Sequence, residues 1–315
     1  MPILRYEICI DEGWTHTSTP LNRYWCFFGG IFGPEPDCDR LESALRQVVT
    51  SEGLRGEIKW SSVTGRNLAV YKRLVDVFFD SFSKFPLSYR QIFLDRSYIH
   101  VPSTGDPALT DLDVQFRICY QFIKHSFGLR YLSETDPDCE HHVDIRLDNH
   151  SSQHHKEELM DLVERLPDTL TVPSLFTKAR FVNSKHLLRL QLCDLLMGAA
   201  GSHGNRMHLR RLPGKRGMTQ KQKWRHEMAK YIYNHLRSLD ATERGSKAFS
   251  WFESTGHDGE IENRLKHKLR IWKFIPKNFQ RNAGWENDNL DPQGRYLGPQ
   301  IDEQIHLHRD ISSAE

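Results

Sequence analysis

The chain has 315 residues, a formal net charge of +2, 38% hydrophobic residues and 27% charged residues. This composition is too apolar and too aromatic for a disordered chain, and the length is sufficient for one large core domain with a smaller appended one. The small net charge gives no whole-molecule signal for a nucleic-acid partner, so any such signal must come from how the charge is distributed.

The amino-terminal segment MPILRYEICIDEG contains no basic stretch followed by a long apolar one, and no apolar run approaches the ~18 residues of a membrane span. The six cysteines are scattered, and no two of them form a Cys-x-x-Cys pair. This usage is typical of reduced, mostly buried thiols. We therefore expect a cytoplasmic protein with no membrane partner.

Two apolar runs near the start of the chain predict a β-hairpin at the centre of a sheet. The first covers residues 3–10 and ends at Asp11-Glu12-Gly13, and the second is an aromatic, glycine-containing run from Tyr24 to Phe32. Helical spacing of apolar residues then predicts a helix over 39–49, capped by Asp37 or Asp39.

The segments that follow alternate between strands and helices. A short extended segment, Gly56 to Trp60, precedes a helix over 67–85 that Pro86 ends. Further strands are predicted over 87–94, 142–147 and 170–182, and further helices over 113–127, 154–166 and 187–200. Strands that first run together and then alternate with helices favour an α/β fold, with a mixed sheet flanked by helices.

The composition changes after Gly201. Between Arg206 and Arg237 there are ten Lys or Arg residues and one acid, Glu227, and apolar residues at helical spacing predict a basic helix there. A second basic run covers residues 264–281. We predict a core over residues 1–203, a basic, mostly helical extension over 204–281, and a polar, loosely ordered tail over 282–315.

The basic helix offers what a nucleic-acid backbone needs, namely cations for the phosphates and aromatic side chains for stacking on bases. The candidate nucleic-acid-binding residues are Arg210, Arg211, Lys215, Arg216, Lys221, Lys223, Trp224 and Arg225. The partner would be RNA or DNA. The alternative is a solvated face with no partner.

Four acidic residues stand beside apolar runs: Asp11, Glu57, Asp148 and Asp194. A carboxylate next to a core is costly unless it is paired or metal-bound, and a shared Mg²⁺ or Mn²⁺ ion would supply the compensation. Such ions can activate water for cleavage of a phosphodiester bond. Lys59 could steady the negative charge that develops on the phosphate, or it could form a salt bridge with Glu57.

Each acid also has a structural alternative. Asp11 could cap a turn, Glu57 could pair with Lys59 or Arg55, and Asp194 could mark a narrow solvent stripe with Gln191 and Gly198 at helical spacing. Asp144 lies four residues before Asp148 on the same strand, so the two share a face and either could be the ligand.

A cluster of histidines offers a zinc hypothesis. It comprises Cys139, His141, His142, His150, His154 and His155. Zinc sites favour separated ligand pairs on opposing elements, so we expect this local cluster to be a solvated loop. His150 or His154 could instead assist proton transfer near Asp148.

Several of these motifs together resemble a bacterial domain-of-unknown-function family, DUF 3800. They are the first strand ending in IDEG, the second strand WCFFGGIF, the segment EIKW before a helix with Tyr71, the strand VDIRLDN and the helix LQLCDLLMGA. The similarity covers roughly residues 3 to 203. The family commonly has Asp-Glu-Ser-Gly after the first strand, whereas Gly13 follows Glu12 directly here.

The resemblance implies a ribonuclease H-like fold. Enzymes of that fold place one acid on the central first strand, others on adjacent elements and one on a C-terminal helix, and hold two Mg²⁺ or Mn²⁺ ions. Carried over to this chain, it nominates Asp11, Glu57, Asp148 and Asp194 as catalytic metal ligands. It implies a nuclease, with a non-catalytic nucleic-acid-binding or complex-forming subunit of a bacterial defence or toxin-like system as the alternative.

Overall fold

Six strands form the main sheet, in the spatial order β6-β5-β1-β2-β3-β7. The computed structural model describes residues 1–15, 22–102, 109–210, 217–245, 249–256, 260–282 and 285. The six strands are β1 (Ile3–Gly13), β2 (Tyr24–Pro34), β3 (Ser88–Asp95), β5 (Glu140–Asp148), β6 (Leu175–Val182) and β7 (Leu269–Phe274), and a separate two-stranded sheet joins β4 (Tyr98–His100) and β8 (Phe279–Arg281).

The main sheet is mixed. β1, β2 and β3 are antiparallel neighbours, whereas β5 runs parallel to β1, β6 parallel to β5, and β7 parallel to β3. The predicted central hairpin of β1 and β2 is therefore confirmed, as is the mixed α/β sheet.

Helices cover both faces of the sheet. They are α1 (Glu35–Ser51), α2 (Leu68–Lys84), α3 (Asp111–Ser126), α4 (Leu132–Thr135), α5 (Gln153–Glu164), α6 (Leu166–Leu170), α7 (Leu188–Gly204) and α8 (Gln220–Arg244). One core lies between the sheet and α1, α2, α7 and α8, and the other lies between the sheet and α3, α5 and α6. No helix within the described residues is long and apolar enough to cross a membrane.

α7 is the helix nearest the centre of the sheet. It packs against β1 and β2 on one side and against α8 on the other, so that most of its residues are buried. Arg189 on this helix forms an ion pair with the fully buried Glu7 of β1, with Nη2 and Oε1 2.5 Å apart. Removing one partner of such a buried pair is strongly destabilising, so the pair holds α7 against β1.

Three local predictions differ from the structure. α1 begins after Pro34 without a side-chain cap, and Asp37 lies in its first turn, where it accepts a hydrogen bond from Arg40. Residues 166–170, part of which was predicted as strand, form a short helix that has proline in its first turn. The predicted extended segment ends in a short 3₁₀ helix, Trp60–Ser62.

The segment predicted as a mostly helical extension contributes a strand to the main sheet. β7 pairs with the outer side of β3, and Arg270 within it is buried, with its guanidinium donating to the backbone oxygen of His125. An arginine can be buried when carbonyl oxygens accept its hydrogen bonds. The sheet therefore includes a strand that lies beyond the predicted core of residues 1–203. Arg270 is buried in that strand and is not available to a phosphate backbone.

Candidate metal centre at the carboxyl edge of the sheet

Asp11 and Asp148 lie side by side at one edge of the sheet. β1 and β5 are parallel, and Ile10 pairs with Leu147, so the next residue on each strand is one of the two acids. Ile10 and Leu147 face the core under α3 and α5. Because side chains alternate along a strand, both acids point to the opposite face, toward α7.

Asp194 is held on α7 by the segment that follows Glu57. Its Oδ2 accepts a hydrogen bond from the backbone N–H of Trp60 at 2.6 Å, and Gln191 one turn earlier accepts one from Ile58 at 2.8 Å. Gly198, one turn later, lies against the Trp60 ring so closely that a Cβ would overlap it. Residues 58–60 thus cover the stripe of Gln191, Asp194 and Gly198, in which Asp194 alone is partly exposed.

Ser184 links Glu57 to Asp148. Its hydroxyl donates to Glu57 Oε1 at 2.9 Å, and its backbone N–H donates to Asp148 Oδ1 at 3.2 Å. Lys59 Nζ lies 3.1 Å from Glu57 Oε2. The predicted salt bridge is therefore present, and Glu57 still belongs to the same neighbourhood as the three aspartates.

Among the four acids, Asp11 has the most strongly raised pKa. Its side chain is nearly buried, and burial raises its pKa well above the ordinary value, with the charges of Asp194 and Asp148 raising it further. One hydrogen bond, from the backbone N–H of Glu12 to Oδ1 at 2.7 Å, acts in the opposite direction. Buried carboxylates that repel one another are what a divalent cation would neutralise.

Asp194 and Lys59 respond to the same cluster. Burial raises the pKa of Asp194, the Trp60 N–H and Lys59 lower it, and Glu57 and Asp148 raise it. Burial alone would lower the pKa of Lys59, but the hydrogen bond and charge of Glu57, together with the two aspartates, raise it. Lys59 therefore stays a cation, and it partly offsets four carboxylates.

The four acids form an open cluster. Among the residues that the structure describes, they do not provide three carboxylate oxygens that all lie within 4.8 Å of one another. Asp144, the alternative to Asp148, shares its face but pairs with Arg146 and Arg180. Asp148, not Asp144, is the β5 acid whose charge raises the pKa of Asp11.

His150 borders a small cavity with Asp11 and Asp148. The cavity has a volume of about 20 Å³, which is enough for one water molecule. His154 is exposed at the surface. His141, His142 and His155 have separate polar partners, and the cluster around them provides no set of three donor atoms within 4.8 Å among the described residues.

The basic residues near the start of α8 differ in their availability. Lys221 and Lys223 are exposed, whereas Trp224 packs against Gly65 and is half-buried. Arg225 donates to the backbone oxygen of Ser61, and Arg210 donates to the side chain of Asn22. Arg211, Lys215 and Arg216 lie outside the described residues.

Sequence reasoning missed the roles of several groups that support the site. Ser184, Gln191 and the backbone N–H of Trp60 bind the acids or position their neighbours. A serine between a strand and a helix predicts a helix cap at most, so its bridging role has no sequence signal of its own.

A scan against protein-family models found no match for this chain, and a search of the curated proteins found none either.

Proposed function

We propose that the chain is a divalent-metal-dependent nuclease that hydrolyses phosphodiester bonds of RNA or DNA. The observation that carries this proposal is the charge cluster at the edge of the sheet, where Asp11, Asp148, Asp194 and Glu57 meet a single lysine among the described residues. Oxygen ligands of this kind suit Mg²⁺ or Mn²⁺.

The topology supports a ribonuclease H-like core and membership of the family that the motifs resemble. Strands β1 to β3 form an antiparallel meander, β5 and β6 extend it in parallel on the other side of β1, and the first acid stands on the central strand. The last acid stands on the helix that packs over that strand.

The chain's own residues have distinct tasks in this proposal. The four carboxylates would hold the metal, which when bound activates water and stabilises the leaving oxygen. Lys59 would face the scissile phosphate, because it retains its charge next to Glu57. Ser184 keeps Glu57 and Asp148 in place through its two hydrogen bonds.

The basic residues at the start of α8 would hold the nucleic-acid backbone beside these acids. Arg225 donates a hydrogen bond to Ser61 and lies over the ring of Trp60. The backbone N–H of the same tryptophan donates to Asp194. Phosphate bound by α8 would therefore lie close to the carboxylates. Trp224 packs against Gly65 and is half-buried, so part of its side chain stays accessible for stacking on a base.

Two variants on one strand test the proposal. Asp148→Asn and Asp144→Asn remove the same charge from the same face of β5, but Asp144 pairs with Arg146 and Arg180 outside the cluster. With labelled RNA and DNA and Mn²⁺ or Mg²⁺, Asp148→Asn should lose cleavage by at least about 100-fold, while Asp144→Asn keeps it. Equal rates in both variants and the wild type would contradict the assignment.

One observation favours the second candidate, a non-catalytic nucleic-acid-binding or complex-forming subunit of a bacterial defence or toxin-like system. Within the described residues, no three of the four acids offer carboxylate oxygens that all lie within 4.8 Å of one another. A Mn²⁺ titration separates the two candidates, since a catalytic site should show saturable binding that Asp148→Asn weakens. Nucleic-acid binding without saturable Mn²⁺ binding would favour the non-catalytic candidate.

A further inference from the structure

A second group of potential metal ligands lies at the other end of α7. His203 is in the last turn of α7, His208 is in the turn that follows, and His226 is on α8. Each offers one ring nitrogen, and the three nitrogens all lie within 4.8 Å of one another. None of the three belongs to the histidine cluster that the sequence singled out.

The backbone after α7 brings the first two histidines together. Met207 N–H donates to the oxygen of Ser202 at 2.9 Å, and Arg206 N–H donates to the oxygen of His203 at 3.0 Å. This is the hydrogen-bond pattern of a Schellman motif, in which the first residue after the helix end adopts a left-handed backbone conformation. Arg206 takes that position with a φ of 50°, where glycine is usual, so the turn that returns His208 toward His203 is strained.

A side chain of α8 fixes the same turn. Gln222 Nε2 donates to the backbone oxygens of Met207 at 3.0 Å and Arg210 at 2.6 Å. The residues on both sides of His208 are thereby tied to the first turn of α8, one turn before His226. Hydrogen bonds thus join the end of α7, the turn that contains His208 and the start of α8, and these three segments position the three histidines.

The rings are stacked and partly withdrawn from solvent. The His208 ring centroid lies 4.3 Å from that of His226 and 5.8 Å from that of His203. All three residues are half-buried, and the Nδ1 atoms of His203 and His226 are buried without a hydrogen-bond partner. Buried polar atoms without partners are rare in folded proteins, and a bound ion would give these nitrogens a partner.

We propose that His203, His208 and His226 bind a Zn²⁺ ion. Three imidazoles from separated elements are a common zinc ligand set, with a fourth position left for water or another ligand. Ligand nitrogens of a tetrahedral zinc site lie roughly 3.4 Å apart, so small side-chain rotations bring these three into place. Imidazole nitrogens also separate this site from the carboxylates, because Mg²⁺ prefers oxygen ligands.

The fourth position would open onto a cavity of about 200 Å³. The three histidines line this cavity together with Trp14, Trp60, Arg210 and Arg225. The two arginines favour an anionic group as the additional ligand of the zinc ion.

The test uses two variants on α8. His226→Gln removes a proposed ligand, whereas His235→Gln changes another histidine of α8, one that pairs with Asp76 of α2. Full-length protein stripped of metal is titrated with Zn²⁺ by calorimetry, and with Co²⁺ by absorption spectroscopy, because four-coordinate Co²⁺ absorbs visible light far more strongly than six-coordinate Co²⁺. Thermal unfolding without metal shows whether each variant is folded.

The wild type and His235→Gln should bind one equivalent of Zn²⁺ at this site and give the four-coordinate Co²⁺ spectrum. His226→Gln and His208→Gln should each lose at least about 10-fold in Zn²⁺ affinity, together with that spectrum. Asp11→Asn serves as a second control, since Zn²⁺ binding at the histidines does not depend on the carboxylates or on nuclease activity. Unchanged affinity in folded His226→Gln, or a loss in Asp11→Asn alone, would overturn the proposal.

Discussion

Asp11 is nearly buried, yet no cation of the described residues forms an ion pair with it. Burial raises its pKa in the metal-free folded state, and the negative charges of its neighbours Asp194 and Asp148 raise that pKa further. In the proposed metal site, Asp11 would therefore couple proton binding and metal binding to folding.

Asp11→Asn should make the metal-free protein more stable near pH 8, because it removes a buried charge and its repulsion. In the unfolded chain the pKa is near its ordinary value of 3.8, and in the folded protein it is well above that. Between these two values the folded state binds the extra proton, so the contribution of Asp11 to the free energy of unfolding falls as the pH rises. Thermal unfolding of both proteins from pH 4 to 8 measures the difference.

Mn²⁺ should reverse the order, since it stabilises the wild type more than the variant by mass action. Cleavage by Asp11→Asn should fall by at least about 100-fold. A metal-free variant that is less stable by about 1–2 kcal/mol, as after the loss of a helix or turn cap, would identify Asp11 as structural.

Residue identity was enough to nominate the four acids, because a carboxylate beside an apolar run is unusual. It was not enough to find Ser184 or the Trp60 N–H, since serines and backbone amides occur throughout the chain and only the tertiary structure brings them to Asp148 and Asp194. The histidines at 203, 208 and 226 stand on separate elements, as zinc ligands commonly do. Only the packing of α8 against α7 shows that they lie together.

At the scale of elements, α7 and residues 58–60 pack against each other and together position Asp194. Gln191 and Asp194 accept hydrogen bonds from the backbone N–H groups of Ile58 and Trp60, and Gly198 provides the space for the Trp60 ring. Gly201, one turn later, lies under the ring of Trp14 in the same way. The position of Asp194 therefore depends on glycines that do not touch the acid.

Gly198→Ala should displace the Trp60 ring and weaken its N–H bond to Asp194. We expect a loss of about 1–3 kcal/mol in the free energy of unfolding, as in other overpacked cores, together with weaker Mn²⁺ binding. Chemical denaturation and a Mn²⁺ titration measure the two effects. Gly217→Ala is the control, because nothing lies within 4 Å of a Cβ at that position. Mn²⁺ affinity that is unchanged in Gly198→Ala would show that Asp194 does not need this contact.

Elements with clear periodicity, such as α2, could be predicted from the sequence, and β7 could not. Leu269, Ile271 and the buried Arg270 form a strand whose alternation is masked by arginine and lysine residues. Arg90, its partner across the ladder, is also buried and donates to the oxygen of Ser126. Carbonyl oxygens in the last turn of α3 accept hydrogen bonds from both guanidinium groups, and no local pattern in the sequence predicts that this helix end lies beside them.

At the scale of the whole molecule, a net charge of +2 conceals an uneven distribution. The acids meet at the carboxyl edge of the sheet, and the exposed lysines of α8 lie beyond Trp60 and Arg225. A polyanion could therefore contact the basic surface while its phosphates approach the acidic one through metal.

Replacing both Lys221 and Lys223 by Ala should weaken nucleic-acid binding for all sequences alike. Each lost phosphate contact reduces the slope of log K against log salt by about 0.9 on duplex DNA and about 0.7 on single strands, so the double variant should lose up to about two units of slope on the duplex. Binding measured from low to high salt with single-stranded and duplex probes gives the slope. Lys84 and Lys178 are also exposed and serve as the control pair. An unchanged slope would leave Lys221 and Lys223 as a solvated face.

The position of β7 late in the chain determines when the outer edge of the sheet is covered during synthesis. β3 ends at Asp95, all of its residues are buried, and the strand that covers its outer side begins only at Leu269. At ribosomal speeds of about 5–20 residues per second, the nascent chain exposes this open edge for on the order of ten seconds or more. Unpaired strand edges recruit other strands, so chaperone capture and aggregation compete with folding during that interval.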